Sequence, residues 1–225
     1  MSFKEFRKEL NGNRVEGELI KDVLFSLVLS FVAIALVYFF WLRNIPNFIS
    51  KYGFYLFFAA IGYSLIVPTI RQVRAYKQFS CMSGMMIGMT VGMIAGFLAG
   101  FFIGATNGMF FGGMFGMIVG IALGIWLGSC CGIMGSMEGI MAGFMGGWMG
   151  AMTSVMLIND HLRLATIFIF IVCSAILFSL NYMIYVETKD RDDPKKEESF
   201  MTILIAGVLT LLTLVIMVLA PRGFI

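Results

Sequence analysis

Residues 84–132, GMMIGMTVGMIAGFLAGFFIGATNGMFFGGMFGMIVGIALGIWLGSCCG, carry glycine at every fourth position. A four-residue step turns a helix by about 400°, so these glycines stay on one slowly winding face. Because glycine has no Cβ atom, the pattern predicts membrane helices whose backbones pack closely together, as in a glycine zipper. The series slips by one residue after Gly132 and continues at Gly135, Gly139, Gly143, Gly147 and, after another slip, Gly150.

The composition around this segment excludes a soluble fold. Sixty per cent of the 225 residues are hydrophobic, 13% are charged, and the mean hydropathy is +0.92. Soluble domains are usually about 45–50% apolar and about 25% charged. Four cysteines are too few for a disulfide-rich secreted fold, and a net charge of +3 gives no reason to expect a nucleic-acid partner. The sequence therefore predicts an all-α, multi-pass protein in a lipid bilayer.

Seven apolar stretches approach the length of about 20 residues that a transmembrane helix needs. Spans three to five form a Gly/Met-rich three-helix core, separated by predicted turns at Thr106–Asn107 and Ser129–Cys131. The predicted organisation is a cytoplasmic amphipathic arm (1–19), spans one and two (20–70), the core (81–158), and spans six and seven (164–225) with a charged loop (187–199). The spans are predicted at about 20–42, 54–70, 81–105, 109–129, 132–158, 164–186 and 200–220.

The basic residues orient the chain. With seven spans and the N-terminus in the cytoplasm, 12 of the 16 Lys and Arg residues lie inside. Cytoplasmic loops of membrane proteins carry such an excess of Lys and Arg. We therefore expect a multi-pass protein of the plasma membrane with a cytoplasmic N-terminus.

Methionine is the second unusual feature of the core, which holds 15 of the 19 Met residues. In span five, steps of three and four residues keep seven of them on one helical stripe. Met137 lies about 200° around the helix from Gly139, so the stripe faces away from the glycines. Methionine can be flexible packing against an uneven surface or can face lipid. Its thioether is also a soft, uncharged ligand that suits Cu(I). The span-five stripe comprises Met134, Met137, Met141, Met145, Met149, Met152 and Met156, and span three adds Met82, Met85, Met86, Met89 and Met93.

Polar residues lie at the ends and in the middle of this methionine column. Cys81, Cys130 and Cys131 are predicted at one membrane face, where soft thiolates select Cu(I) or Zn. Asp160 and His161, the single histidine, follow span five at the opposite face and form a candidate entry site.

Glu138 is the single charged residue between positions 78 and 159. An intramembrane carboxylate is a functional candidate by default. Three interpretations stay open for it: a cation ligand beside Met137 and Met141, a proton relay, or a residue at the inner membrane interface.

The pairs Met137-x-x-x-Met141 and Met145-x-x-x-Met149, with glycine steps nearby, resemble the eukaryotic high-affinity copper-uptake transporters. In that family an MxxxM motif forms the pore filter, GxxxG steps pack the helices, and cytoplasmic Cys and His receive the metal. Those transporters have three spans and a Met-rich extracellular arm, whereas this chain has seven predicted spans and lacks such an arm. The glycine series is also similar to mechanosensitive-channel pore helices and rotary-ring subunits, which form oligomers.

The sequence predicts an integral membrane protein that binds or transports a soft metal ion, most simply Cu(I), through a Met-lined core. An enzyme is not expected, because the sequence has one histidine, no phosphate-binding loop and no nucleophile–base set. One alternative is a glycine-zipper subunit that assembles with itself or with a larger membrane complex. Another is a cation or proton channel centred on Glu138. The candidate metal ligands are Met85, Met89, Met137, Met141, Met145, Met149, Cys81, Cys130, Cys131, Glu138 and His161.

Overall fold

The computed structural model describes residues 15–40, 52–76, 79–188 and 199–220. These residues form seven α-helices and no strand. The predicted arm lies mostly outside them, because only its last five residues belong to a helix, and most of the charged loop lies outside them too. The helices are α1 Val15–Phe40, α2 Phe54–Ala75, α3 Cys81–Asn107, α4 Met109–Gly128, α5 Gly132–Met156, α6 Leu162–Thr188 and α7 Ser199–Leu219.

Five segments of the described chain are long and apolar enough to cross a membrane. One of them, Met109–Met156, is 48 residues long and contains both α4 and α5. The apolar run in α7, Leu204–Leu219, falls in the class of shorter helices. The structure therefore supports a helical membrane protein, whereas the count of seven crossings and their orientation remain predictions.

Two glycines set the turns that separate α3, α4 and α5. Gly108 joins α3 to α4 with φ of 100°, and Gly132 starts α5 with φ of 74°. Side chains disfavour this left-handed region, which glycine enters freely. A short 3-10 turn, Ser129–Cys131, precedes Gly132. Both predicted turns are confirmed, within a residue or two of their expected positions.

The helices α3, α4 and α5 contact one another through glycine. A Cβ atom added to Gly92 would lie 3.1 Å from the Cα atom of Gly124 and 3.1 Å from the carbonyl oxygen of Gly139. The contacts pair α4 antiparallel with both α3 and α5, so α3 and α5 run in the same direction. We call the resulting sets glycine layers: 88/128/135, 92/124/139, 96/120/143, 100/116/147 and, with an alanine, 104/112/151.

The last layer differs from the sequence pattern. The predicted series moves from Gly147 to Gly150, but Ala151 occupies the fifth layer against Gly104. Gly150 instead packs against the backbone of Phe97, and Gly146 packs in the same way against Met93. The second slip therefore marks a separate line of contact between α5 and α3.

The other helices contact the three-helix bundle mainly through α3, and Arg74 of α2 also lies over the Trp126 ring of α4. Helix α2 contacts α1, α6, α7 and α3, and it is buried along most of its length. Polar side chains form two hydrogen-bonded contacts between helices. The Thr69 hydroxyl donates to the Asn181 side-chain oxygen at 2.8 Å, which joins α2 to α6. The buried Asn107 amide donates to the carbonyl oxygens of Met217 (3.3 Å) and Ala220 (2.8 Å), which fastens the end of α3 to the end of α7.

Candidate functional site

The methionines of α5 form a continuous exposed surface, which we call the methionine face. Helix α5 packs on α3 and α4, and its glycines face them. The thioethers point the other way, as the 200° separation requires. Exposed fractions run from 44% at Met152 to 69% at Met156. The face consists of Met134, Met137, Met141, Met145, Met149, Met152 and Met156.

The axis of the three-helix bundle is closed. A Cβ atom on Gly124 would lie 2.5 Å from the carbonyl oxygen of Gly139, and one on Gly116 would lie 2.6 Å from that of Gly96. Real Cβ atoms essentially never approach backbone so closely. Within α3, α4 and α5 there is thus no room on the axis for a methyl group, and a methionine-lined route has to run along the outside of the bundle.

The two methionines predicted as ligands in α3 differ in accessibility. Met89 is 45% exposed, whereas Met85 is half-buried. Among the residues whose exposure the structure describes, 13 methionines are exposed, and all 13 lie on α3, α4 or α5. The exposed large apolar residues described on α1, α6 and α7 are instead Leu, Ile, Val and Phe.

Cys130 and Cys131 form a close pair of free thiols in the turn before α5. Their Sγ atoms are 3.7 Å apart, and the Cys131 thiol donates to the carbonyl oxygen of Ser80 at 3.4 Å. Gly84 makes room for the pair, since an added Cβ atom would overlap the Cys131 sulfur. Thiolate–metal bonds are about 2.3 Å long, so one metal ion can bridge two sulfurs up to about 4.6 Å apart. The pair is therefore spaced to share a soft ion.

The third predicted thiol is not brought into a complete site with this pair. Cys81 begins α3, next to Ser80, and is exposed. Among the described residues, however, no group of three His, Cys, Asp or Glu side chains is placed to hold a metal ion. The carboxylate of Glu187, at the end of α6, also reaches this region and accepts from the Ser80 amide at 3.0 Å.

The remaining predicted ligands lie at separate positions. Glu138 is half-buried on α5, next to Met137. Asp160 and His161 are exposed in the turn after α5. His161 has φ of 42°, and its carbonyl oxygen accepts from the amides of Leu164 (2.9 Å) and Ala165 (3.1 Å). Its backbone thus starts α6, while its exposed imidazole is available for binding.

The sequence analysis missed a buried ion pair between Asp22 of α1 and Arg71 of α2. Their side chains are 8% and 10% exposed, respectively. A usable signal was present, because Asp22, Ser26 and Ser30 recur every fourth residue at the start of a long apolar run.

Comparison of the chain with protein-family models, curated proteins and solved structures finds no match. Its function has to be argued from its own residues.

Proposed function

We propose that this membrane protein binds a soft metal ion, foremost Cu(I), on the methionine face and passes it along that face. The observation that carries the proposal is the outward direction of seven thioethers along α5, each at least 44% exposed. If methionine served as filler for the uneven glycine surface, these side chains would be buried against glycine. They are instead available as ligands.

The choice of residue adds to the argument. Lipid-facing positions on α1, α6 and α7 use Leu, Ile, Val and Phe. A thioether has similar apolarity but adds soft-metal affinity, and it avoids the cost of placing a charge in the bilayer. Successive members such as Met141 and Met145 are about 6 Å apart along the helix. Weak sites in series allow an ion both to enter and to leave.

The two ends of the face supply exchange sites in this proposal. Cys130 and Cys131, 3.7 Å apart, would take the ion at the cytoplasmic end. Exposed Asp160 and His161 would meet it at the other end. Because the axis of the bundle is closed, a second copy of the chain facing α5 would supply the remaining ligands, so a homo-oligomer fits this mechanism.

The direct test compares how much Cu(I) the purified full-length wild-type protein and a four-Leu variant bind. In this variant Met137, Met141, Met145 and Met149 are changed together to Leu. We expect bound Cu(I) to fall in the four-Leu variant. Met217→Leu is the matched control, because Met217 is 1% exposed and should leave binding unchanged. Wild-type protein without Cu(I), or equal binding by the four-Leu variant, would contradict the proposal.

A second candidate is an assembly subunit whose methionine face packs on the same face of another copy. It is favoured by the position of α5, whose extensive contacts are with α3 and α4 and leave its outer surface uncovered within one chain. In this case the four-Leu variant should assemble into oligomers almost as well as wild type, whereas Met145→Glu should break the oligomer. Native mass spectrometry of both variants separates this candidate from metal binding.

A further inference from the structure

Helix α1 buries a polar stripe and exposes its apolar side chains. Of its residues from Lys21 to Phe39, only three are buried as whole residues: Asp22 (6% exposed), Ser26 (0%) and Ser30 (0%). Their spacing of four residues puts them on one face. That face lies against α2 and α7, the helices that α1 chiefly contacts. We call these three residues the polar stripe.

The two Ser hydroxyl groups of the stripe are buried and form no hydrogen bond within the described part of the protein. Several other helical Ser residues donate to a carbonyl three or four residues earlier, as Ser64 does to Ile61 at 2.8 Å and Ser174 to Ile171 at 2.9 Å. Ser26 and Ser30 make no such bond and have no hydrogen-bond partner. Buried polar atoms are nearly always bonded to protein or to ordered water. These two hydroxyls therefore require a hydrogen-bond partner from outside the protein, and water is the simplest one.

Helix α2 presents a third buried hydroxyl at the same depth. The Asp22–Arg71 pair and the ring contact between Phe31 and Phe57 show that α1 and α2 are antiparallel. Ser30 lies eight residues after Asp22 on α1, and Tyr63 lies eight residues before Arg71 on α2. Because Asp22 and Arg71 are paired, Ser30 and Tyr63 lie at about the same depth. The Tyr63 hydroxyl is also buried without a partner.

Tyr63 borders a small cavity between α2, α4 and α7, with a volume of about 10 Å³. That is about the space one water molecule needs. Its lining also includes Val67 of α2, Leu123 of α4 and Leu209 of α7.

The spacing of the stripe matches bridging water. Residues four apart are separated by about 6 Å along a helix. One water making two hydrogen bonds of about 2.8 Å covers nearly that distance. A hydroxyl both donates and accepts, so an alternating row of waters and Ser hydroxyls forms an unbroken hydrogen-bonded chain. We propose that single ordered waters in the seam between α1, α2 and α7 bridge the hydroxyls of Ser26 and Ser30 and continue to Tyr63. This water row would pass protons between Asp22 and Tyr63.

Radiolytic footprinting tests the proposal in the full-length protein in lipid nanodiscs. Hydroxyl radicals formed from water bound in the seam should oxidise Tyr63. Phe101 and Phe102, each 1% exposed, are equally buried controls and should stay unmodified. The double variant Ser26→Ala with Ser30→Ala should lower Tyr63 oxidation several-fold. Tyr63 oxidation no greater than that of the Phe controls, or unchanged in the double variant, would overturn the water row.

Thermal stability gives an independent readout. If Ser26 and Ser30 bond to water, the double variant loses those bonds and should melt at a lower temperature. If the hydroxyls are unbonded, alanine removes an unsatisfied group, and the melting temperature should stay or rise, which would contradict the proposal. Ser64→Ala is the control variant. Its change in melting temperature measures the loss of a buried helical Ser whose hydroxyl is already bonded within its own helix.

Discussion

A Cβ atom on Gly124 of α4 would lie 2.5 Å from the carbonyl oxygen of Gly139 on α5. Neither backbone can move aside easily, because Gly92 of α3 closes the same layer from the third side. Gly124→Ala should therefore cost about 1–3 kcal/mol of unfolding free energy through overpacking. Denaturation of the detergent-solubilised variant measures this cost.

Gly207→Ala is the matched control for that experiment. Its Cβ atom would meet only the Leu29 side chain, at an ordinary contact distance of 3.7 Å. Alanine is the better helix former, so stability should hold or rise by up to about 1 kcal/mol. Equal behaviour of the two alanine variants would contradict the tight contact between α4 and α5.

If Asp22 and Arg71 stabilise the protein as a pair, the stability costs of replacing each of them should not add up in the double variant. Removing one member of a buried ion pair usually costs about 3–5 kcal/mol, because the other charge stays buried. Asp22→Asn alone should therefore be severely destabilising. The double variant Asp22→Asn with Arg71→Gln should be less so. A double variant that costs the sum of the two single ones would show that the side chains act independently.

Asn107 should stabilise the contact between the ends of α3 and α7. Asn107→Ala removes two hydrogen bonds to α7 and its neighbour Ala220, and one accepted from Thr106, at a cost of about 1–3 kcal/mol. Proteolysis near residue 220 should accelerate as that end loosens. Asn159→Ala, at an exposed position in the turn after α5, should change neither stability nor proteolysis.

The thiol pair should act separately from the methionine face. Cys130→Ser with Cys131→Ser should lower Cu(I) binding by the same amount in wild type and in the four-Leu variant. Cys173→Ala, at a buried apolar position on α6, should leave binding unchanged. Full Cu(I) binding by the double Ser variant would remove the thiols from the mechanism.

The predicted topology places the two ends of α5 on opposite sides of the membrane. A membrane-impermeant thiol reagent should then reach Cys131 only from the cytoplasmic side. Asn159→Cys, in the turn after α5, should react only from outside. Labelling of both positions from one side would mean that Met109–Met156 does not cross the membrane twice.

Sequence reasoning located the helices well and their partners poorly. The polar residues Thr106–Asn107 and Ser129–Cys131 placed the boundaries of α3, α4 and α5 to within a residue or two, because turn chemistry is local. A buried pair such as Asp22 and Arg71 depends on the register between two helices, which four-residue spacing alone does not fix. The same reason explains Ala151, since the repeat identifies a face of α5 but not which residue on it meets Gly104.

The glycine layers also make the rigidity of each of the helices α3, α4 and α5 depend on its packing against the other two. Glycine is a poor helix former because its unfolded backbone is the most mobile of all residues. Helices α3 and α5 each place glycine at four or five layer positions, so either one alone in lipid is a helix that bends easily. Close backbone contact in layers such as Gly96, Gly120 and Gly143 removes that freedom only when all three helices are present. The three helices therefore become rigid together, as one cooperative unit.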